Sequence, residues 1–254
     1  MLTPKVEEIS CLPTMQMLDP MSPLSFTHSE LKAREFFDRW IGRSGVLSRL
    51  GRLIFKMSGK IYAQTFIREA QLAAADRVLE LGCGLGTILM ASQRWVQSRE
   101  TYVGIDLSYE MIRRARLKRY GSGSPGRIEF LLSSAIALPF RDGSFDVVLL
   151  SHVIKYFTDI QLDQVMTEAK RVLKDGGMIV LWEFKPFVSR QISELIAEKV
   201  GAQRLRNTEE IRHSLEAAGF RDLIPFRIVT PWVPWRNVAF CGRASSRVIQ
   251  EWRT

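Results

Sequence analysis

The stretch Val78-Leu79-Glu80-Leu81-Gly82-Cys83-Gly84-Leu85-Gly86 decides how the rest of the chain is read. A short apolar strand runs into a tight glycine turn, and a helical pattern begins at once. That order of elements places backbone amides around a ligand at the carboxyl end of a strand. About twenty residues further on, where a doubly wound nucleotide fold carries an acid for the ribose, a second strand pattern, Tyr102-Val103-Gly104-Ile105, ends in Asp106. Together the two features point to a nucleoside-containing cofactor.

The spacing of the turn separates the candidate nucleosides. A dinucleotide turn reads G-x-G-x-x-G, whereas glycines at 82, 84 and 86 give G-x-G-x-G, with Thr87 following. A pyrophosphate favours positive potential, yet this turn is preceded by Glu80. A carboxylate beside a poorly hydrated turn suits a cofactor that carries cationic groups. The other use open to Glu80 is capping of backbone amides within the turn.

Outside this motif the chain reads as an α/β protein with one sizeable core, for which 254 residues suffice. Apolar residues make up 46% and charged residues 25%, and no run reaches the roughly 18–20 apolar residues of a membrane span. The first residues lack the basic start and continuous apolar stretch of a secretory signal. Three cysteines, at 11, 83 and 241, form neither a disulfide framework nor a C-x-x-C metal pattern, so a reducing, cytoplasmic setting is expected. The net charge of +9 is concentrated: residues 31–70 hold nine Lys or Arg against three acids. A second cluster comprises Arg113, Arg114, Arg116, Lys118, Arg119 and Arg127. Such clusters attract nucleic acid or the anionic inner face of a membrane, or form a solvated surface. Apolar residues at 47, 50, 53, 54 and 57 follow helical spacing among basic residues, as in an interfacial helix or one lying on its own domain.

From about residue 76 strands and helices alternate. The spacing predicts strands at 76–81, 102–106, 127–132, 145–151, 177–183, 223–230 and 237–242, with helices near 87–97, 108–119, 161–173 and 189–218. Asp159 is available to cap the third of these, and Thr208 to cap a helix with Glu209 and Glu210 in its first turn that ends at Gly219. Apolar strands joined by helices mean a mostly parallel sheet covered on both faces. The last two strands have too short a connection for a crossover helix and should pair antiparallel.

Ligands of such a sheet bind beyond the carboxyl ends of the strands. Those ends carry Gly82, Cys83, Gly84 and Gly86 after the first strand and Asp106, Leu107 and Ser108 after the second. Met111, one turn on, can pack on a flat base or in the core. After the third come Ser134, Ala135 and Ile136, with Ser134 placed to bond an exocyclic amine. After the fourth come Ser151, His152 and Tyr156, and after the fifth Glu183 and Lys185. Cys83 has no base beside it in sequence and reads as a small filler.

With these residues in view, the chain resembles the class I S-adenosylmethionine-dependent methyltransferases, in their small-molecule and quinone-type branch. The matching segments are Val78–Gly86, Tyr102–Ser108, Ala135–Phe140, Asp142–Leu150 and Arg171–Gly177. The resemblance implies a three-layer, doubly wound Rossmann-like fold with a seven-stranded sheet whose last strand is antiparallel. It implies a domain over 61–254, preceded by an irregular and helical lid or extension over 1–60. It also implies S-adenosyl-L-methionine as cofactor, with Glu80 and the glycines at its methionine end, Asp106 on the ribose and Met111 and Ile136 around the adenine. Members commonly carry an acid at the position of Ser134, facing the adenine amine. A serine makes that contact without charge assistance, weaker by about 1 kcal/mol.

Methyl transfer is an in-line substitution needing alignment and desolvation, so no nucleophile triad is required. His152 is a candidate base, or a structural group beneath its loop, and Tyr156 a second candidate. The irregular N-terminal segment and the aromatic loop from Trp232 to Trp235 suggest a lid over a small, lipophilic acceptor. Three other functions remain open on sequence: methylation of nucleic acid or protein through the basic clusters, a nicotinamide oxidoreductase, and a non-catalytic cofactor-binding partner.

Overall fold

The computed structural model describes residues 27–42, 59–121, 126–186, 189–199, 201–228 and 237–244. The aromatic loop from Trp232 to Trp235, the amphipathic run over 47–57 and residues 1–26 lie outside them. The chain folds on a seven-stranded sheet: β1 (Val78–Leu81), β2 (Tyr102–Asp106), β3 (Ile128–Leu132), β4 (Phe145–Ser151), β5 (Leu173–Phe184), β6 (Phe220–Pro225) and β7 (Asn237–Ala244). Spatial order is β3-β2-β1-β4-β5-β7-β6. The first five strands run parallel, and β7 is antiparallel to both of its neighbours. This is the Rossmann-like methyltransferase architecture that the family resemblance implies.

Period-two geometry sorts each strand between two faces. On one face Leu79, Leu81, Ile105, Val148 and Leu150 pack with Leu162, Val165, Met166 and Ala169 of α5 (Asp159–Val172). On the other, Val78, Tyr102, Val147, Leu149 and Val180 pack with Ala63 and Phe66, which lie on α2, helical over 59–69. Crossovers α3 (Thr87–Val96) and α4 (Tyr109–Arg119) complete the layers around β2. All four residues of β1 are buried, Glu80 among them. Burying a carboxylate in the central strand of such a core is costly unless the group is paired.

Several boundaries differ from the sequence expectation, each for a local reason. The region 189–218 forms two helices, α6 (Arg190–Lys199) and α7 (Thr208–Ala217). They part at Gly201, whose φ of +69° no helix accommodates. Thr158, not Asp159, caps α5 in a reciprocal box with Gln161, and Asn207, not Thr208, caps α7 with Glu210. Asp159 instead pairs with Arg206 and Arg204, each at 2.7 Å. β5 starts four residues early, at Leu173, because residues 174–177 bulge between the Phe145–Leu173 and Val147–Met178 pairs. β6 begins at Phe220, directly after Gly219 turns the chain out of α7.

The basic cluster on α4 is largely engaged within the fold. Arg113 and Arg114 bond Glu110, while Arg116 and Arg119 donate to the carbonyls of Phe130 and Ile128. Its guanidinium groups therefore fasten α4 to β3 as well as carry charge. Among the described residues no helix is long and apolar enough to cross a membrane.

α1 (His28–Gly42) is the element that reaches the site from outside the alternating pattern. Thr27 and Glu30 form a reciprocal cap at its start, with Thr27 N–H donating to Glu30 Oε2 at 2.8 Å. Gln161 of α5 donates to Thr27 Oγ1 at 2.7 Å, and Ser108 donates to Asp38 Oδ1 at 2.5 Å. Phe37 packs with Leu85 and Met111 and edge-on to Tyr156. The helix is thus pinned across the carboxyl ends of the strands.

Candidate active site

A cavity of about 390 Å3 opens at those carboxyl ends, beneath α1, within the size range of small-molecule sites. Gly82, Gly84, Asp106, Leu107, Met111, Ala135, Ser151, His152 and Tyr156, all singled out in the sequence, line it. Glu80 and Cys83 line a small adjoining recess with Tyr62, Gly82 and His152. Three expected residues lie off the cavity wall. Gly86 starts α3 against the ring of Phe130, Ile136 packs on the core, and Ser134 lies behind the wall, bonded to Glu30.

The glycine turn works through its backbone. At Gly82 an added Cβ would lie 2.5 Å from Val153, so only glycine lets the β4 loop approach. At Gly84, with φ +51°, an added Cβ would meet nothing within 4 Å: the space above the amide belongs to the cavity. Gly84 N–H donates to Asp106 Oδ2 at 2.9 Å, and Ser108 N–H donates to Oδ1 at 2.8 Å. These two bonds tie the first strand end to the second and fix the carboxylate toward the cavity. Burial pushes the Asp106 carboxyl up to about 6, against the amides of Ser108 and Gly84 that favour its charge, with Asp38 adding to the rise.

Glu80 is 2% exposed, and its Oε2 has no hydrogen-bond partner. The amides of Cys83 and Gly86 pair with Ile105 and Cys83 carbonyls, and that of Gly84 with Asp106. Glu80 does not cap them. Burial, then the nearby Asp106 charge, hold its carboxyl well above the ordinary range. The turn is therefore short of positive charge, and a ligand bearing an ammonium and a sulfonium complements it. A pyrophosphate does not. The cations lining the cavity are committed to acids, Arg34 to Asp38 and Lys155 to Glu183. Burial raises the Cys83 thiol well above its usual range, consistent with a filler rather than a nucleophile.

On the β4–β5 side, behind the wall formed by His152, Lys155 and Phe184, lies a second polar group. Glu183, fully buried, accepts from Lys155 Nζ at 3.0 Å, Lys155 N–H at 3.1 Å and Phe184 N–H at 2.9 Å. Burial alone would raise its carboxyl, but the Lys155 ammonium and then His152 outweigh it and hold the group at about 2. His152 Nδ1 lies 3.5 Å from Glu183 Oε1, too far for a well-formed hydrogen bond, and neither ring nitrogen has a partner. The imidazole stacks on Phe184 at 4.2 Å and meets Tyr62 edge-on at 5.2 Å. Burial lowers its pKa; Glu183 opposes and Lys155 reinforces that shift. A neutral imidazole with unpartnered nitrogens, carried by a residue on the cavity wall, is equipped to take a proton. His152 also holds φ +54°, a strained conformation for a side-chain-bearing residue, kept by its N–H bond to Trp182 O at 2.9 Å. Burial raises the Tyr156 hydroxyl far above its usual range, so it serves as a donor rather than a base. Lys185 does not line the cavity. No group of three or more potential metal ligands occurs among the described residues.

Sequence reasoning missed Glu30, 3% exposed on the cavity wall. Its signal was local: Thr27-His28-Ser29-Glu30 is a capping-box spacing. Nothing local tells that the box docks on a loop more than a hundred residues away.

Fold, glycine turn and strand-end acids together define a Rossmann-like methyltransferase domain. Residues 78–177 match the family model described as a methyltransferase domain. The chain is 33% identical over 153 residues to the ubiquinone/menaquinone biosynthesis C-methyltransferase of Geobacter sp. (strain M21), covering 60% of this chain and 63% of that protein. The chain thus spans under two thirds of that relative's length. Among solved structures, geranyl diphosphate C-methyltransferase from Streptomyces coelicolor A3(2), crystallised with Mg2+, geranyl diphosphate and S-adenosyl-L-homocysteine, superposes with a TM-score of 0.67. Identity is 14%, over 86% of this chain and 98% of that one. A putative methyltransferase bound to the Haloferax volcanii Trm112 activator superposes at 0.68, with 21% identity over 85% and 98% of the two chains. A methyltransferase domain thus matches residues 78–177, and over 153 residues the chain is similar to a quinone-type C-methyltransferase.

Proposed function

We propose that this protein binds S-adenosyl-L-methionine and methylates a small, lipophilic organic acceptor. The observation that carries the donor half is the buried, unpartnered Glu80 carboxylate beside the glycine turn. Glu80 holds the ammonium of the methionine moiety, Asp106 accepts from the ribose hydroxyls, and Met111 packs on the base. The cofactor's sulfonium supplies an electrophilic methyl carbon. The protein's part is alignment and exclusion of water, to which the bonds pinning α1 over the cavity contribute.

The acceptor half rests on the cavity wall. Phe36, Phe37, Tyr62, Tyr156 and Phe184 give it an aromatic surface on which a quinol-like or isoprenoid-like ring or chain would pack. His152 takes the proton that the acceptor's hydroxyl or acidic carbon releases, and Glu183 stabilises the imidazolium formed. The C-methyltransferase relative supports an acceptor of this kind. Presentation of that acceptor at an anionic membrane is a finer form of the reading, supported by the basic excess over 31–70. Stronger retention by anionic than neutral vesicles at low salt would support it, and equal retention would remove it.

Calorimetry tests the donor half, and methyl transfer from labelled cofactor to quinol and polyprenyl acceptors tests the other. If transfer instead goes to RNA or protein, with binding that falls steeply with salt, the small-molecule reading is wrong.

A further inference from the structure

The cavity has a direction. Glu80 lies on β1 and Asp106 at the end of β2, and the next strand outward is β3. A nucleoside with its amino-acid arm at Glu80 and its ribose on Asp106 therefore extends its base toward the β3 loop. There the wall consists of Leu107, Met111, Ser133 and Ala135, roofed by Glu30 and Ala33 of α1. Among the described residues, the only carboxylates on the wall are Asp106 and Glu30.

Glu30 is held as a receiving group. Its Oε2 accepts from Thr27 N–H at 2.8 Å and from Thr27 Oγ1 at 2.9 Å, and its Oε1 accepts from the Ser134 hydroxyl. An ionised carboxylate offers about four acceptor positions. Three are filled, and the position left belongs to Oε1, the oxygen joined to the β3 loop. A capping box needs no such burial, because surface boxes close equally well. Seating a carboxylate under a helix with only neutral donors is unfavourable unless a further donor arrives.

We infer that Glu30 accepts the exocyclic amine of the cofactor's adenine, so that base recognition is supplied by the N-terminal helix. The inference rests on the S-adenosylmethionine reading above. Ser134 then serves as the positioning residue: it gives its proton to Glu30, takes Ile136 N–H at 3.2 Å, and holds the carboxylate over the base. The charge absent from position 134 returns from α1. A 6-oxo base would set a carbonyl lone pair against the carboxylate, and the site rejects it as any site built for one hydrogen-bonding partner rejects its analogue.

The test compares S-adenosylhomocysteine with S-inosylhomocysteine by titration calorimetry on the full chain. Wild-type protein should favour the adenosyl ligand about tenfold or more, as expected for a charge-assisted bond. Glu30→Gln, whose amide can turn its NH2 to a 6-oxo group, should bring the two affinities within about threefold. Ser134→Ala and Thr27→Ala, each removing one hydroxyl bond that steadies the Glu30 carboxylate, should narrow the preference only in part and leave the adenosyl ligand favoured. If Glu30→Gln unfolds, Glu30→Asp, with the charge withdrawn by one methylene, must narrow the ratio in its place. Equal weakening of both ligands by Glu30→Gln would mean that Glu30 only fastens the helix, and the inference fails. Collapse of the preference in Ser134→Ala with Glu30→Gln unaffected would also overturn it, assigning the amine to Ser134. A wild-type protein that binds neither ligand refutes the cofactor assignment itself, and this inference with it.

Discussion

Replacing Glu80 by Gln should make the ligand-free protein more stable and the cofactor complex weaker. In the folded chain the carboxyl sits well above its ordinary value of 4.5, through burial first and the Asp106 charge second. The folded state therefore holds this proton more tightly than the unfolded state does. The stabilisation this gives is complete below 4.5 and is lost as pH rises through the elevated value, by about 1.4 kcal/mol for each unit of displacement. Gln has no such slope, so the variant should melt higher than wild type at neutral pH and converge with it in acid. Binding runs the other way. An ammonium requires the ionised carboxylate, and losing a hydrogen bond to a charged group costs about 1.5–3 kcal/mol, roughly ten- to hundredfold in affinity. Wild-type protein should release a proton on binding, visible in calorimetry as an enthalpy that depends on the buffer. The variant should release less. Unchanged affinity in Glu80→Gln, or its lower melting temperature at neutral pH, would refute the placement of the cofactor's cationic end.

The two glycines flanking Leu85 should separate binding from folding. Gly84→Ala meets no atom within 4 Å, so it should cost only the roughly 1–2 kcal/mol of a left-handed residue while impairing cofactor binding. Gly86→Ala puts its Cβ 2.3 Å from the Phe130 ring, so its main effect should be on melting temperature, by a further ~1–3 kcal/mol. His152→Ala should lower methyl transfer by about 10²–10⁴-fold with S-adenosylhomocysteine affinity unchanged. Because burial lowers the imidazole pKa, wild-type activity should fall only on the acid side of 6.5, as a pH–rate profile would show. Glu183→Gln leaves the Lys155 ammonium buried without its counter-charge, and thermal melting should record a loss of about 3–5 kcal/mol.

The sheet was legible because its strands carry their own signal. Apolar runs at regular intervals, each closed by Gly or a polar residue, place β1 to β4 within two residues of the sequence reading. The antiparallel final strand follows from a connection too short to cross over. Boundaries failed where a neighbour competes for a side chain. Asp159 reads as a cap but is drawn to Arg204 and Arg206, leaving the cap to Thr158. The donor side of the site was legible for the same reason as the strands, since Gly82, Gly84 and Asp106 follow strand ends directly. Glu30 was not. Its role depends on a helix from one end of the chain docking on the β3 loop through Ser134, a contact no periodicity encodes. The Glu183–Lys155 pair likewise joins two strand ends, and only pairing of β4 with β5 brings His152 beside them.

The central claim is that this cavity receives S-adenosylmethionine. Titration of the folded chain with S-adenosylhomocysteine, repeated on Asp106→Ala, tests it most directly. The account predicts one site per chain in the wild type and at least about tenfold weaker binding in the variant, whose fold is retained. Failure of the folded wild-type protein to bind either S-adenosylhomocysteine or S-adenosylmethionine would contradict it.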